Sequence, residues 1–259
     1  MSIEVLERRF ATIGARLEVS DGPWLGVPQI NVLRDGCGEY FDVRFARGGR
    51  EVELDVVDAW RDARHLLLLV RDGARKSKFL CGHDERHWFV AAVPEDAPGV
   101  SGVGAAMAAL QPAEVRRAVA RVRPKDSLAR KNRAFVRQGE WFFVPEPRLD
   151  VEPARVLRNE PVTRGRGKPH VLEFAYRRGG EKVYVSFRYP HGMSEAEYAR
   201  LSQTARRGSW QVMVRNAEVF AKGAVRHSDH ATIVLHNWHR VVMNTEQRAR
   251  AMRHVAFLD

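Results

Sequence analysis

Histidines whose spacing could support chemistry are concentrated near the end of the sequence. Four of the ten histidines lie within residues 227–239, beginning with His227-Ser228-Asp229-His230 and continuing to His236 and His239. Upstream, the basic segment Arg164-Gly165-Arg166-Gly167-Lys168-Pro169-His170 leads into a strand-like run and is suited to contact phosphate. We therefore take His170, His227, His230 and Lys168 as candidate catalytic residues, expected to face one concavity with Lys168 or Glu246 close by.

Three kinds of function are compatible with these residues. In the first, two imidazoles act as general acid and general base on a phosphodiester, and Lys168 stabilises the phosphate or an oxyanion. In the second, His170, His227 and His230 form a cupin-like site that binds a divalent metal ion and leaves one position open for a small molecule. In the third, the protein is a non-catalytic binding or assembly module with incidental histidines. The sequence alone requires no cofactor, assigns no metal ligand and leaves open whether the protein is an enzyme.

A second pair of histidines, in His83-Asp84-Glu85-Arg86-His87, resembles a zinc protease motif only in its spacing. The HExxH motif needs Glu directly after the first His, on a helix that places both imidazoles on one face. Here Asp84 takes that place, and the flanking residues are typical of strands. The segment therefore predicts a β-hairpin with a polar tip.

The elements that must position these residues are mostly strands. Residues 3–17 predict a helix, and short strands follow at 29–33, 40–45, 52–57, 65–70, 78–81 and 87–93. Pro112 is suited to begin a basic helix that runs to about residue 122.

The second half of the chain returns to strand patterns. Residues 140–144 predict a buried strand, and residues 171–176 and 182–188 predict a hairpin around Gly179-Gly180. Ser194 and Glu197 have capping-box spacing and predict a short helix. A second hairpin is expected from strands at 231–235 and 238–243 with a turn at His236-Asn237, which would place His230 and His239 on one face.

These elements predict an α+β protein in three parts. The first is an N-terminal domain over residues 1–104, an antiparallel sheet with a helix. A basic helical connector follows at 105–134, and residues 135–259 form a β-barrel-like domain for which a cupin-like form stays open. Pro and Gly in residues 94–104 suit the first boundary.

Residues 137–246 resemble a group of small bacterial and phage β proteins with four landmarks in order: RQGD followed by a strand and VP, then GHxH, HPEH and QREY. The chain has Arg137-Gln138-Gly139-Glu140 with Val144-Pro145, then Gly167-Lys168-Pro169-His170, then His227-Ser228-Asp229-His230, then Asn244-Thr245-Glu246-Gln247. The group has no assigned function, so the resemblance implies a compact β-barrel and a candidate site. Lys168 replaces the first His of GHxH, and only Glu of QREY is kept.

Charge is distributed unevenly along the sequence. Residues 1–100 carry 14 basic and 17 acidic side chains, whereas residues 101–259 carry 29 and 15. Such an excess favours a polyanion such as RNA or DNA as partner, although no known nucleic-acid-binding motif accompanies it. The residues expected to contact nucleic acid are Arg116, Arg117, Arg121, Arg123, Lys131, Arg133, Arg137, Arg164 and Arg166.

Length and composition exclude several classes of protein. A chain of 259 residues with a mean hydropathy of -0.39 buries a core without metal or disulfide support and has no apolar run of about 18 residues to span a membrane. The charged N-terminus does not fit a signal peptide, and Cys37 and Cys81 are too few for a disulfide framework or a cysteine zinc site. We therefore expect a cytoplasmic protein that does not contact membranes, with nucleic acid as a candidate partner and an oligomeric state that the sequence does not indicate.

Overall fold

The computed structural model describes residues 2–22, 29–46, 52–163 and 167–246. Within these ranges the chain combines helix and sheet, as predicted, and far more residues lie in strands than in helices. The strands form four sheets, none of which closes into a barrel in the described part of the chain. No helix among these residues has the length and apolar character needed to span a membrane.

The N-terminal half contains a helix and two sheets rather than the single antiparallel sheet predicted. Helix α1 covers Ile3–Ala11 and ends before the turn at Gly14, where φ is +77°, so residues 12–17 do not continue the helix as predicted. The first sheet has the order β1-β3-β2, and β1 runs parallel to β3. Its strands are β1 (Leu17–Gly22), β2 (Gln29–Asp35) and β3 (Gly38–Ala46).

The second sheet is an antiparallel meander of four strands, with helix-containing layers on both faces. The strands are β4 (Val52–Trp60), β5 (His65–Asp72), β6 (Arg75–Asp84) and β7 (His87–Val93). Leu66, Leu68 and Val70 of β5 pack in one core with α1 and the first sheet, while Leu67 packs in a second core with helix α2 (Val103–Ala109). Coverage of both faces explains why β5 is an uninterrupted apolar run.

The core of the N-terminal half therefore continues beyond residue 104, to Leu110 at the end of α2. No sheet in the described ranges contains strands from both halves of the chain. The two halves do contact each other, because the Thr245 N–H donates to the Leu110 carbonyl at 3.1 Å. The division into separately folding domains stays a prediction.

The basic segment between the halves is less helical than predicted. Pro112 precedes helix α3 as expected, but α3 covers only Ala113–Val119. A short 3₁₀ turn at Pro124–Asp126 and irregular chain follow. The basic side chains therefore lie on several short elements and not on one helix face.

The C-terminal half contains a six-stranded sheet and a smaller three-stranded sheet. The first has the order β10-β11-β15-β16-β9-β8 and the second the order β13-β12-β14. The strands are β8 (Val136–Gln138), β9 (Trp141–Pro145), β10 (Leu157–Val162), β11 (His170–Arg178), β12 (Glu181–Ser186), β13 (Tyr189–Ser194), β14 (Gln211–Arg215), β15 (Glu218–Arg226) and β16 (Ile233–Met243). Helix α4 (Glu195–Ala199), with the predicted capping box at Ser194, and helix α5 (Gln203–Arg206) connect β13 to β14.

The prediction of a hairpin around Gly179-Gly180 is wrong, because β11 and β12 belong to different sheets. The segment that contains β14 and β15 runs beside both strands: Arg178 of β11 pairs with Glu218 of β15, and Glu181 of β12 pairs with Arg215 of β14. The two glycines therefore bend a long ribbon instead of reversing it. A Cβ at Gly180, where φ is +91°, would lie 2.6 Å from Cγ1 of Val214, so this bend needs glycine.

The second predicted hairpin is also wrong, because β16 passes through His236 and Asn237 as one continuous strand. A register shift between Ala221 and Gly223 of β15 accommodates the irregular pairing there. At one end of the sheet, the side chain of Gln138 on β8 donates to the carbonyl of Val225 on β15 at 3.4 Å. Since these strands are three places apart, the sheet is strongly curled.

Candidate metal centre

Strand pairing brings two of the candidate histidines together. His170 is the first residue of β11, and His227 directly follows β15. The two strands are antiparallel neighbours, and Val171 is paired with Arg226. Continuing this register by one residue places His170 beside His227, while His230 lies in the loop that leads from β15 to β16.

All three imidazoles form one compact cluster. One ring nitrogen from each of His170, His227 and His230 lies within 4.8 Å of those of the other two. The ring centroids of His170 and His227 are 4.2 Å apart, with an angle of 27° between the planes, and His227 and His230 are 4.7 Å apart. Among the described residues this is the only group of three His, Cys, Asp or Glu side chains placed to share a metal ion.

His170 is the most deeply buried member of this cluster. Its residue surface is 1% exposed, and neither ring nitrogen makes a hydrogen bond of normal geometry among the described residues, although a weak interaction with the Gln138 backbone acts to raise its pKa. Nδ1 of His230 is also buried without a hydrogen bond in that part of the chain. Because an unsatisfied buried polar atom costs about 1–3 kcal/mol, the unpartnered nitrogens of His170, which lie beside two further imidazoles, indicate a place for a ligand.

Burial favours the neutral form of His170 and of His230. Burial, together with the neighbouring His227 and His230, lowers the pKa of His170 to about 3. Burial and His227 also lower the pKa of His230. Neutral imidazole is the form that binds a metal ion, so little proton release is needed for these two rings to act as ligands.

A glycine and a glutamine from the β8–β9 turn support the cluster. A Cβ at Gly139, where φ is +56°, would lie 2.8 Å from Nε2 of His230 and 3.6 Å from Nε2 of His170. Gln138, fully buried, donates to the Ala231 carbonyl at 2.6 Å and so fixes the loop that carries His230. The two Nε2 atoms therefore face a space that any other residue at position 139 would fill.

His227 has a hydrogen bond that bears on how well a metal fits. Its Nδ1 accepts from the backbone N–H of Asp229 at 3.1 Å, which places the proton of the neutral ring on Nε2. A metal bound through Nε2 of His227 must displace that proton and break this hydrogen bond, at a cost of about 0.5–1.5 kcal/mol. Since structural zinc binding supplies about 10–16 kcal/mol, the hydrogen bond does not prevent coordination.

Lys168 is close to the cluster but is held by a carboxylate. Its Nζ lies 2.9 Å from Oδ2 of Asp229. Burial alone would raise the pKa of Asp229, but its hydrogen bonds, including the one from Lys168, lower it overall. Lys168 is therefore half of an ion pair rather than an isolated cation facing the imidazoles.

The remaining residues that the sequence singled out lie elsewhere. His236 is exposed on β16, and Nδ1–H of His239 donates to the Asn237 carbonyl, so neither joins the cluster. Glu246 interacts with the side chain of Asn244. Arg164 and Arg166 lie outside the described residues.

Sequence reasoning missed Glu85, Arg130, Gln138 and Gly139 as parts of the site. The HDER segment forms the predicted hairpin tip between β6 and β7, and this tip reaches the histidines: Glu85 accepts the Ala231 N–H at 2.8 Å. Gln138 and Gly139 belong to the Arg137-Gln138-Gly139 landmark, and the segments of three landmarks meet at this site. Their place in that landmark was the one feature of the sequence that could have pointed to these two residues.

The basic residues proposed for nucleic acid contact separate into two groups. Arg137 is only 18% exposed and lies 3.4 Å from Oδ1 of Asp84, so it is not part of a surface. Arg123 is exposed but paired with Asp126. The exposed set is Arg116, Arg117, Arg121, Arg123, Lys131 and Arg133.

The chain matches no protein-family model, no curated protein and no solved structure. The assignment of a function therefore depends on the geometry of the histidine cluster.

Proposed function

We propose that this protein binds a divalent transition-metal ion through His170, His227 and His230. The observation that carries the proposal is the buried His170, whose two unpartnered ring nitrogens lie in a cluster with two other imidazoles. Imidazole suits Zn²⁺, Cu²⁺, Fe²⁺ and Ni²⁺. Zn²⁺ is the ion we test first because it accepts three imidazoles without a geometric preference from its d electrons.

Three protein ligands leave one coordination position open, as in catalytic rather than structural zinc sites. Water bound at such a position loses a proton near neutral pH and attacks electrophilic carbon or phosphorus, so hydrolysis is the reaction that suits the site. A nucleic acid phosphodiester is the substrate that the excess of arginine in the second half favours. We keep a cupin-like form of the C-terminal domain as part of this proposal. The metal site itself does not depend on whether the sheet closes into a barrel.

Metal-free acid–base chemistry by the same residues has less support. It needs one protonated and one neutral imidazole at the same pH. With its pKa lowered to about 3, His170 carries no proton to donate at neutral pH and is too weak a base to accept one. Lys168, the intended oxyanion partner, is paired with Asp229.

The test is metal content and metal affinity of the full chain. Protein purified without chelators is analysed for metals, then stripped with EDTA and titrated with Zn²⁺ and with Co²⁺, whose absorption reports the ligands. We expect one equivalent per chain and a rise in stability of about 2.7 kcal/mol when free Zn²⁺ is 100 times its Kd.

Single His227→Ala and His230→Ala variants should lose the Co²⁺ spectrum. His236→Ala, which removes an exposed histidine of the same region, is the matched control and should bind like the wild type. Absence of metal from the purified wild type, together with no response to added Zn²⁺, Co²⁺, Ni²⁺ or Fe²⁺, would show that the cluster is not a metal site.

A further inference from the structure

The polar tip of the β6–β7 hairpin, which the proposed function does not use, lies against the histidine cluster. Glu85 at this tip accepts the backbone N–H of Ala231 at 2.8 Å, and its Oε2 lies 3.7 Å from Nδ1 of His230. The hairpin belongs to the N-terminal half, whereas Ala231 and His230 belong to the C-terminal half. A carboxylate from one half of the chain thus faces an imidazole from the other.

The two nitrogens of His230 have different surroundings. Nε2 lies on the side of Gly139, where the imidazole of His170 also directs its Nε2. Nδ1 lies on the side of Glu85. A metal shared by these two rings therefore binds Nε2 of His230, and the proton of that ring then resides on Nδ1. A carboxylate beside Nδ1–H is the usual outer partner of a metal-bound histidine, since it fixes the tautomer and makes the ring a stronger ligand.

Glu85 is held in place by Arg130 and by the backbone of Ala231. Arg130 forms an ion pair with its Oε1 and also lies 3.0 Å from Oδ1 of Asp84. The Ala231 N–H and Arg130 thus hold one oxygen each of the carboxylate. Glu85 has φ of +48°, a conformation that glycine or asparagine adopts with less strain.

We propose that Glu85 is a positioning residue for the metal centre, which orients His230 and holds its proton on Nδ1. This inference rests on the proposed function, because it concerns the same three histidines. It also makes the N-terminal half part of the site: the loop that carries His230 is held at the Ala231 N–H by Glu85 and at the Ala231 carbonyl by Gln138. The C-terminal half then binds metal with full affinity only when the hairpin tip is docked.

The test compares Glu85→Gln with the wild type in the full chain. Glutamine still accepts the Ala231 N–H, so the fold is retained while the charge is removed. Outer partners of metal-bound histidines are worth about 10–100-fold in affinity, and we expect a loss of that size for Co²⁺ and Zn²⁺. Glu53→Gln is the matched control, because Glu53 is an exposed residue of β4 that also pairs with an arginine, Arg71 of β5. This variant should bind metal like the wild type.

A second readout separates positioning from general stability. Long-range ¹⁵N NMR of the metal-free protein reports which nitrogen of His230 carries the proton. We expect Nδ1–H in the wild type, a shift toward Nε2–H in Glu85→Gln, and return to Nδ1–H in Glu85→Asp, which restores the charge.

The outcomes distinguish the two proposals. A wild type that binds no metal overturns the proposed function. A wild type that binds metal while Glu85→Gln binds it equally well, within about twofold, overturns the role of Glu85 alone. A proton on Nε2 of His230 in the metal-free wild type also overturns the role of Glu85 and leaves the metal site standing.

Discussion

Protonation of the buried His170 should destabilise the metal-free protein in acid, by an amount that the structure allows to be calculated. The pKa of this imidazole falls from 6.5, its ordinary value, to about 3 in the folded chain. Between pH 6.5 and about 3, the unfolded chain therefore binds a proton at this residue that the folded chain does not bind. Stability is fully present above pH 6.5 and is lost as the pH falls from there toward about 3.

At pH 5 the loss amounts to about 2 kcal/mol relative to pH 8, from 1.36 kcal/mol for each pH unit below 6.5. Any folded pKa below about 4 gives nearly the same loss at pH 5. With a urea dependence of about 3 kcal/mol per M, the midpoint of unfolding should move by about 0.7 M.

Urea unfolding of the wild type and of His170→Gln, each at pH 8 and pH 5 in EDTA, measures this contribution. Other buried histidines titrate in both proteins, so the difference between their pH dependences isolates His170. We expect the wild type to lose about 2 kcal/mol more than the variant between the two pH values. Equal losses in the two proteins would refute the argument that burial and neighbouring imidazoles exclude the proton from this ring.

Three further outcomes are expected. Gly139→Ala should abolish metal binding, because its Cβ would lie 2.8 Å from Nε2 of His230. Gly179→Ala is the control: φ is +66° there, so the backbone strain is similar, but nothing lies within 4 Å of the new Cβ, and this variant should still bind Co²⁺. Equal binding by both variants would show that the space beside Gly139 is not needed. Limited proteolysis should cut the chain after α2, because the N-terminal core extends to Leu110 and not only to residue 104, and should release halves that unfold separately; a single unfolding transition without such cleavage would show one folding unit. Nucleic acid should bind at about 50 mM salt, with an affinity that falls with a log–log slope near 0.9 per phosphate contacted on duplex DNA, and charge reversal at Arg117 and Arg121 should weaken it; anisotropy that shows no binding at that salt removes nucleic acid as a partner.

Local patterns in the sequence predicted the elements better than they predicted strand partners. The β6–β7 hairpin, the capping box at Ser194 and the start of α3 after Pro112 are confirmed because each depends on neighbouring residues. Two glycines can either reverse the chain or bend it, so Gly179-Gly180 alone does not predict which occurs. The outcome depends on the segment at 215–218 that pairs with the flanking strands. That partner lies about 35 residues away, beyond the reach of turn chemistry.

The cluster itself was predicted as a set of residues, yet through partly wrong elements. His170, His227 and His230 were grouped because four histidines crowd into residues 227–239 and a basic segment leads into His170, and their convergence follows from the β11–β15 pairing. His239 was expected on the same face as His230 through a turn that does not exist. Glu85 could not be found from periodicity, because its relation to Ala231 spans 146 positions of the sequence.

The charges around the cluster bear on what the proposed metal ion would bind at its remaining position. The nearby carboxylates of Asp84, Glu85 and Asp229 are matched by ion pairs: Arg130 and Arg137 contact Asp84, Arg130 contacts Glu85, and Lys168 contacts Asp229. Imidazole ligands add no negative charge, so none of these groups is left to balance the double charge of a bound ion. An ion in such a site attracts an anion to its remaining position, either hydroxide or an oxygen of an anionic substrate. Both are what hydrolysis of a phosphodiester requires, so the pairing of Lys168 and Arg130 with carboxylates favours metal-assisted hydrolysis over a mechanism in which these cations contact the phosphate themselves.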